Sequence, residues 1–205
     1  MTSTTIATEP SDRLELGGVH HTARPTWKLR ETVEFYRDAM GLPLVHAISA
    51  RGWGPEEHAD FLHFFFDSGN GSTIAFFYYI GTERPEYLAD RDDYQYRATH
   101  TSWQVKDAAA LAAWRRRFEE KGVKVHYQVR HEIIESIYVS DPNGYMVEIT
   151  IPLRPMDARD AADAEYTIET AIALEDADKQ GQPFRHIDQV WHAKAARLET
   201  LMEVA

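Results

Sequence analysis

VRHEIIESIYVSDPNGYMVE, residues 129–148, is the stretch from which the fold is read. Ile137, Tyr138 and Val139 have strand character, Asp141-Pro142-Asn143-Gly144 is a strong turn signal, and Tyr145 to Ile151 resumes a β-branched and aromatic run. The segment therefore predicts a hairpin. Its second strand carries one acid, Glu148, where a half-buried strand would place an apolar or neutral side chain. A buried carboxylate needs a partner that offsets its desolvation, and a metal ion is one such partner.

Working outward, the hairpin closes a unit that occurs twice. In the second copy, Thr99 to Val105 reads as a strand containing His100. Asp107 can cap a helix whose Leu111, Ala112, Arg115 and Phe118 share a face, Gly122 ends it, and Val123 to Val129 is the next strand. In the first copy, Leu14 to Ala23 reads as a strand containing His20-His21. Leu29, Val33, Tyr36 and Met40 then recur at helical spacing up to Gly41. Leu42 to Ile48, Phe61 to Phe66 and Thr73 to Ile80 read as three further strands, so each copy is βαβββ. His21-Thr22 aligns with His100-Thr101, Gly41 with Gly122, and Asn70-Gly71 with Asn143-Gly144. Four residues past the turn glycine stands Ala75 in one copy and Glu148 in the other.

The predicted fold class is thus α+β, with modules at about 13–82 and 94–152 after a flexible leader, residues 1–12. Beyond Pro152 a helical extension spans 153–205. Asp157 to Tyr166 reads as a helix, Glu175 to Gln182 as a polar loop, and Phe184, Ile187, Trp191, Ala195, Leu198 and Met202 as the stripe of an amphipathic terminal helix. That stripe suggests packing on the sheet exterior or on another subunit, hence a homodimer or higher oligomer.

Composition narrows the function classes. The 205 residues carry 22 Lys plus Arg against 33 Asp plus Glu, a formal charge of −11, with no basic stripe interleaved with aromatics. Nucleic acid and anionic membranes are poor partners for such a chain. No signal peptide or membrane-spanning run is legible, so a cytoplasmic protein is the expectation. With no cysteine, thiol nucleophiles and zinc–thiolate sites are excluded, and any metal must sit on nitrogen and oxygen ligands.

The duplicated βαβββ unit with His21, His100 and Glu148 in register resembles the vicinal oxygen chelate superfamily, the glyoxalase/bleomycin resistance/dioxygenase fold. The resemblance implies a cup-shaped mixed sheet around a divalent metal, with His21, His100 and Glu148 as its ligands. Ala75 fills the fourth ligand position and cannot bind metal, a departure from glyoxalase I and methylmalonyl-CoA epimerase. Two histidines and one carboxylate with open positions suit non-haem Fe(II) and O₂ chemistry.

Within that superfamily the hairpin is most similar to type I extradiol ring-cleavage dioxygenases, on His131, Ile137, Tyr138, Asp141, Pro142, Gly144 and Glu148. This implies an Fe(II)-dependent enzyme that cleaves a catecholic aromatic with O₂, in which His131 is general acid and Tyr138 holds a substrate oxygen. The histidine that such enzymes often carry before the last strand of the first module is Ser72 here, leaving His63 or His58 as substitutes. Two other readings share the fold: a thiol transferase of the fosfomycin-resistance kind with the same triad on Mn(II), and a non-catalytic ligand-sequestering protein. Of the aromatics at Phe64–Phe66 and Phe76–Tyr79, every second one would line the cup. His126, His186 and His192 have no assigned role.

Overall fold

The structure is a computed structural model that describes residues 18–51, 59–88, 98–130, 132–177 and 186–204. The leader at 1–12, the start of the first strand at Leu14, His58, His131, most of the polar loop from Glu175 to Gln182, and Phe184 lie outside the described residues.

Two four-stranded mixed sheets are present, each with its own helix. The first comprises β1 (His21–Thr26), β2 (Leu44–Ala50), β3 (Phe61–Gly69) and β4 (Ser72–Tyr79), in the order β1-β4-β3-β2. The second repeats it as β5 (His100–Gln104), β6 (Val125–Arg130), β7 (Ile134–Ser140) and β8 (Met146–Pro152), in the order β5-β8-β7-β6. In each, the first and last strands run parallel and the other pairings are antiparallel. This is the α+β arrangement of two βαβββ modules, and the described residues from Gly18 to Arg154 belong to one compact unit.

Alternation along the strands separates two faces. Phe64, Phe66, Ile74 and Phe76 from the first sheet and Ile137, Val139, Val147 and Ile149 from the second belong to one buried core. Tyr36 from the first helix, and Leu111 and Phe118 from α2 (Ala108–Glu120), complete it. Asp107 caps α2 by accepting a hydrogen bond from the Ala110 amide at 2.9 Å, as the sequence suggested.

Several boundaries differ from the sequence reading for identifiable reasons. The first strand continues through Pro25 to Thr26 instead of stopping at Ala23. A proline is tolerated there because β1 is an edge strand. The helix expected across Leu29 to Met40 is α-helical only over α1 (Leu29–Val33), and Glu34–Ala39 is π-helical. Arg117 of α2 donates to the carbonyls of Ala39 at 2.6 Å and Asp38 at 3.3 Å, taking acceptors that a helix end leaves open. Gly41 follows at φ +75°, a backbone conformation that favours glycine, and a Cβ there would stand 3.0 Å from Arg117 Nη2, which would have to shift slightly. The helix after Pro155 is also longer than expected: α3 runs Ala158–Ala177. Thr167 and Thr170 stay inside it by bonding back to the carbonyls of Asp163 and Tyr166. With α4 (Ile187–Val204) it belongs to a second unit, pinned internally by Lys194 Nζ on Asp163 Oδ1 at 2.6 Å. Among the described residues no helix is long and apolar enough to cross a membrane.

Candidate functional site

The polar cluster lies on the helix-free face of the second sheet. On β8, Val147, Ile149 and Ile151 enter the core, so Met146, Glu148 and Thr150 point the other way. The ladder sets Glu148 opposite Tyr138 on β7 and opposite Ser102 on β5, two residues along from His100. Glu148 is 2% exposed, far more buried than a half-buried strand implied. Its two oxygens are held separately: Tyr138 donates its hydroxyl to Oε1 at 2.9 Å, and His100 Nε2 lies 3.1 Å from Oε2. Burial first, and then the bond to the Glu148 carboxylate, push the Tyr138 phenol up to about 12.

The His100 ring is fixed by its other nitrogen. Nδ1 lies 2.9 Å from the Ala98 carbonyl, which can only accept, so Nδ1 carries a proton. Nε2 then faces a carboxylate oxygen, and two acceptors meet unless a cation stands between them: a proton on the ring or a metal ion. The 3.1 Å separation is close to that of two neighbouring ligand atoms each about 2.1 Å from one ion. A backbone carbonyl on the far nitrogen is the support that metal-bound imidazoles commonly have. His100 and Glu148 therefore fit a divalent cation by donor type and spacing.

His21 occupies the equivalent place in the first module. Ala23 pairs with Ala75 on β4 as Ser102 pairs with Glu148, so Ala75, fully buried, is the positional counterpart of Glu148, and Phe65 of Tyr138. His21 Nδ1 lies 2.9 Å from His20 Nδ1, and its ring meets Phe65 and His63 edge-on at 5.7 and 6.2 Å. The structure thus gathers His100, Glu148 and Tyr138 and leaves His21 outside that cluster. Among the described residues no three His, Asp or Glu side chains stand close enough together to hold a metal.

His63, considered above as a substitute base, is held in the first sheet. It is 7% exposed, stacks on Phe77 at 3.7 Å with planes 9° apart, and its Nδ1 lies 3.1 Å from the Phe76 carbonyl. Desolvation lowers its pKa, outweighing the bond to that carbonyl, with smaller contributions from His21 and His46. A cavity of about 460 Å³ reaches Phe77 but not His63; Ala23, Pro25 and Tyr79 also line it, with Trp27 and Tyr87. None of His100, Tyr138 and Glu148 lines it.

Sequence reasoning took Asp141-Pro142-Asn143-Gly144 as a turn and missed that it also joins the modules. Asp141 Oδ1 accepts from the amides of Asn143 at 2.8 Å and Tyr145 at 2.9 Å, while Tyr36 of the first module donates to Oδ2 at 3.1 Å. Thr26 donates to Asn143 Oδ1 at 2.7 Å, and Asn143 Nδ2 donates to Thr32 at 3.0 Å. Burial raises the Asp141 pKa against these hydrogen bonds and raises the Tyr36 pKa well above the phenol range. The available signal was Tyr36, a polar ring on the apolar stripe of the first helix.

The sequence matches the model of the glyoxalase/bleomycin resistance protein/dioxygenase superfamily over residues 18–149, well over half of the chain. No curated protein is similar enough in sequence to count as a match. Among solved structures, a glyoxalase/dioxygenase from Nostoc punctiforme is 18% identical, covering 74% of this chain and 100% of that one with a TM-score of 0.52. A glyoxylase/bleomycin resistance protein/dioxygenase domain from Frankia sp. EAN1pec is 15% identical over 69% of this chain and 96% of its own, also at 0.52. A lactoylglutathione lyase from Agrobacterium tumefaciens is 21% identical over 67% and 95%, at 0.48. At these identities the structural likeness speaks for the fold alone. Duplicated modules, mixed sheets of matching order and a family match spanning both modules establish that the chain belongs to the glyoxalase/bleomycin resistance protein/dioxygenase superfamily.

Proposed function

We propose that this protein is an Fe(II)-dependent extradiol dioxygenase that cleaves the ring of a catecholic aromatic with O₂, with His21, His100 and Glu148 as metal ligands. The observation that carries the reading is Glu148: a carboxylate 2% exposed, with a proton-bearing phenol on one oxygen and the bare or protonated Nε2 of a carbonyl-anchored imidazole on the other. When bound, Fe(II) supplies open coordination positions for a vicinal diol and O₂.

The chain's own side chains have defined tasks in this reading. Glu148 and His100 would hold the ion from the second module, and His21 would complete the set from β1. Ala75, with no donor atom, would contribute no ligand. Tyr138 orients Glu148 by donating its one hydroxyl proton to Oε1, and would turn that proton to a substrate oxygen once an ion takes the carboxylate. His131 would act as the general acid of the oxygen-insertion stage. Phe65 and Phe77, half-buried on the helix-free face of the first sheet, would supply apolar surface for an aromatic ring. We place the reaction in the cytoplasm, in a homodimer or higher oligomer, with Mn(II) as the alternative metal.

One observation favours a second reading. His21 lies outside the His100–Glu148 cluster, as a non-catalytic, ligand-sequestering protein would allow. Anaerobic loading with Fe(II), followed by O₂ uptake with a panel of catechols, separates the two. The enzyme consumes O₂ and yields a yellow ring-fission product; the sequestering protein retains no metal and consumes none. A thiol addition supported by Mn(II) would favour the transferase instead.

A further inference from the structure

The edge strand β6 breaks alternation at one place. Val125 pairs with Val139 and Tyr127 with Tyr138, so His126 is an extra residue on β6: a β-bulge. Val125 packs against the core, and both residues that follow it reach the opposite face. His126 Nε2 lies 2.9 Å from Ser140 Oγ, and the Tyr127 ring lies 4.7 Å from that of Tyr138, with planes 33° apart. A regular strand would send one of the two away.

The first module contains the same device. Leu44 pairs with Phe66 and His46 with Phe65, so Val45 is the extra residue there and His46 is the counterpart of Tyr127. The bulge belongs to the module, and its residues were chosen differently: His46 rests on Phe65 at 5.5 Å beside Ala75, whereas Tyr127 rests on Tyr138 beside Glu148. Tyr127 remains 48% exposed although its neighbour Tyr138 covers part of its ring. An aromatic ring packed against the phenol that holds Glu148, and still half open, is a preformed stacking surface next to the polar cluster.

We infer that Tyr127 is a specificity-determining residue of this site: a planar aromatic ligand stacks on its open ring surface with the ligand's polar edge towards Glu148 and His100. The inference rests on the proposed aromatic diol reading and adds which residue selects the ring. Stacking selects flat, polarisable ligands over saturated ones carrying the same hydroxyls.

The test is binding of 4-fluorocatechol to the metal-free full chain by fluorine NMR, with cis-1,2-cyclohexanediol as the saturated comparison by ligand-observed proton NMR. Tyr127→Leu is expected to weaken 4-fluorocatechol about three- to tenfold and leave the saturated diol unchanged, whereas Tyr127→Phe, which keeps the ring, binds both as wild type does. Equal affinity of wild type and Tyr127→Leu for 4-fluorocatechol overturns the inference. So does an equal loss for both diols, or no binding of 4-fluorocatechol by wild type. The two readings fail separately. Ring-dependent binding without O₂ consumption by the Fe(II)-loaded protein sinks the dioxygenase and leaves Tyr127 in place. Turnover by an enzyme whose Tyr127→Leu variant keeps wild-type binding does the reverse.

Discussion

Tyr138 and Glu148 stand directly opposite each other on neighbouring strands, and the phenol donates to the buried carboxylate at 2.9 Å. Removing that donor leaves one oxygen of a desolvated charge with less to bind. Tyr138→Phe is expected to cost about 1.5–3 kcal/mol of stability at neutral pH, read from chemical denaturation of the metal-free protein. In the same protein the native phenol holds its proton to about pH 12 while an unfolded tyrosine releases it near 10. The native state therefore binds more protons over that window, and wild type loses stability as pH rises through it. Tyr138→Phe should lack this component of the alkaline slope; parallel slopes would show that the phenol is not perturbed.

The turn that joins the modules gives a second expectation. Asn143 exchanges side-chain hydrogen bonds with Thr26 and Thr32 while nearly fully buried, so Asn143→Ala removes one partner from each of two hydroxyls that keep only each other, at 2.9 Å, and the Lys28 amide. A loss of about 2–3 kcal/mol is expected, with no exposed surface to dilute it. A loss below 0.5 kcal/mol (on the order of a surface substitution) would mean that the network is replaced by water.

Asp141 supplies the matching pH signature. Burial raises its native pKa above the unfolded value, so its favourable contribution is complete below the unfolded pKa and is lost as pH rises through the native one. Asp141→Asn removes this titration. The stability of wild type relative to Asp141→Asn should rise as pH is lowered from 7 towards 4, and a flat difference contradicts the raised pKa.

His63 shifts in the opposite sense. Desolvation lowers its native pKa below the unfolded value, so its contribution is present above the unfolded pKa and is lost as pH falls through the native one. Proton NMR of its ring should give a midpoint below 6.5. A midpoint above 6.5 would place the ring in a wetter or more acidic setting than beside Phe77.

The architecture was readable because duplication repeats its punctuation: His21-Thr22 and His100-Thr101 open the modules, Gly41 and Gly122 end the first helix of each, and Asn-Gly turns precede the closing strands. Strand alternation implied that every second aromatic would line one face, because period two is a local property, and the structure decides which: Phe64 and Phe66 enter the core and Glu148 lies on the other face. Three things needed coordinates. The π-helical end of the first helix has its last carbonyls taken by Arg117, which is 78 residues from Ala39. The role of Asn143 depends on Thr26 and Thr32 in the other module. The bulge at His126 is invisible to periodicity, since one extra residue looks like ordinary sequence until its partner strand fixes the register. His131 lies outside the described residues.

Whether two imidazoles and one carboxylate grip a single ion is read most directly from a crystal structure of the protein loaded anaerobically with Fe(II), with occupancy checked by anomalous scattering. One ion per chain is expected, bound by one nitrogen each of His21 and His100 and an oxygen of Glu148, each at about 2.0–2.2 Å. An ion held by His100 and Glu148 with His21 still turned to His20, or no ion at all at saturating Fe(II), contradicts the three-ligand centre and with it the dioxygenase.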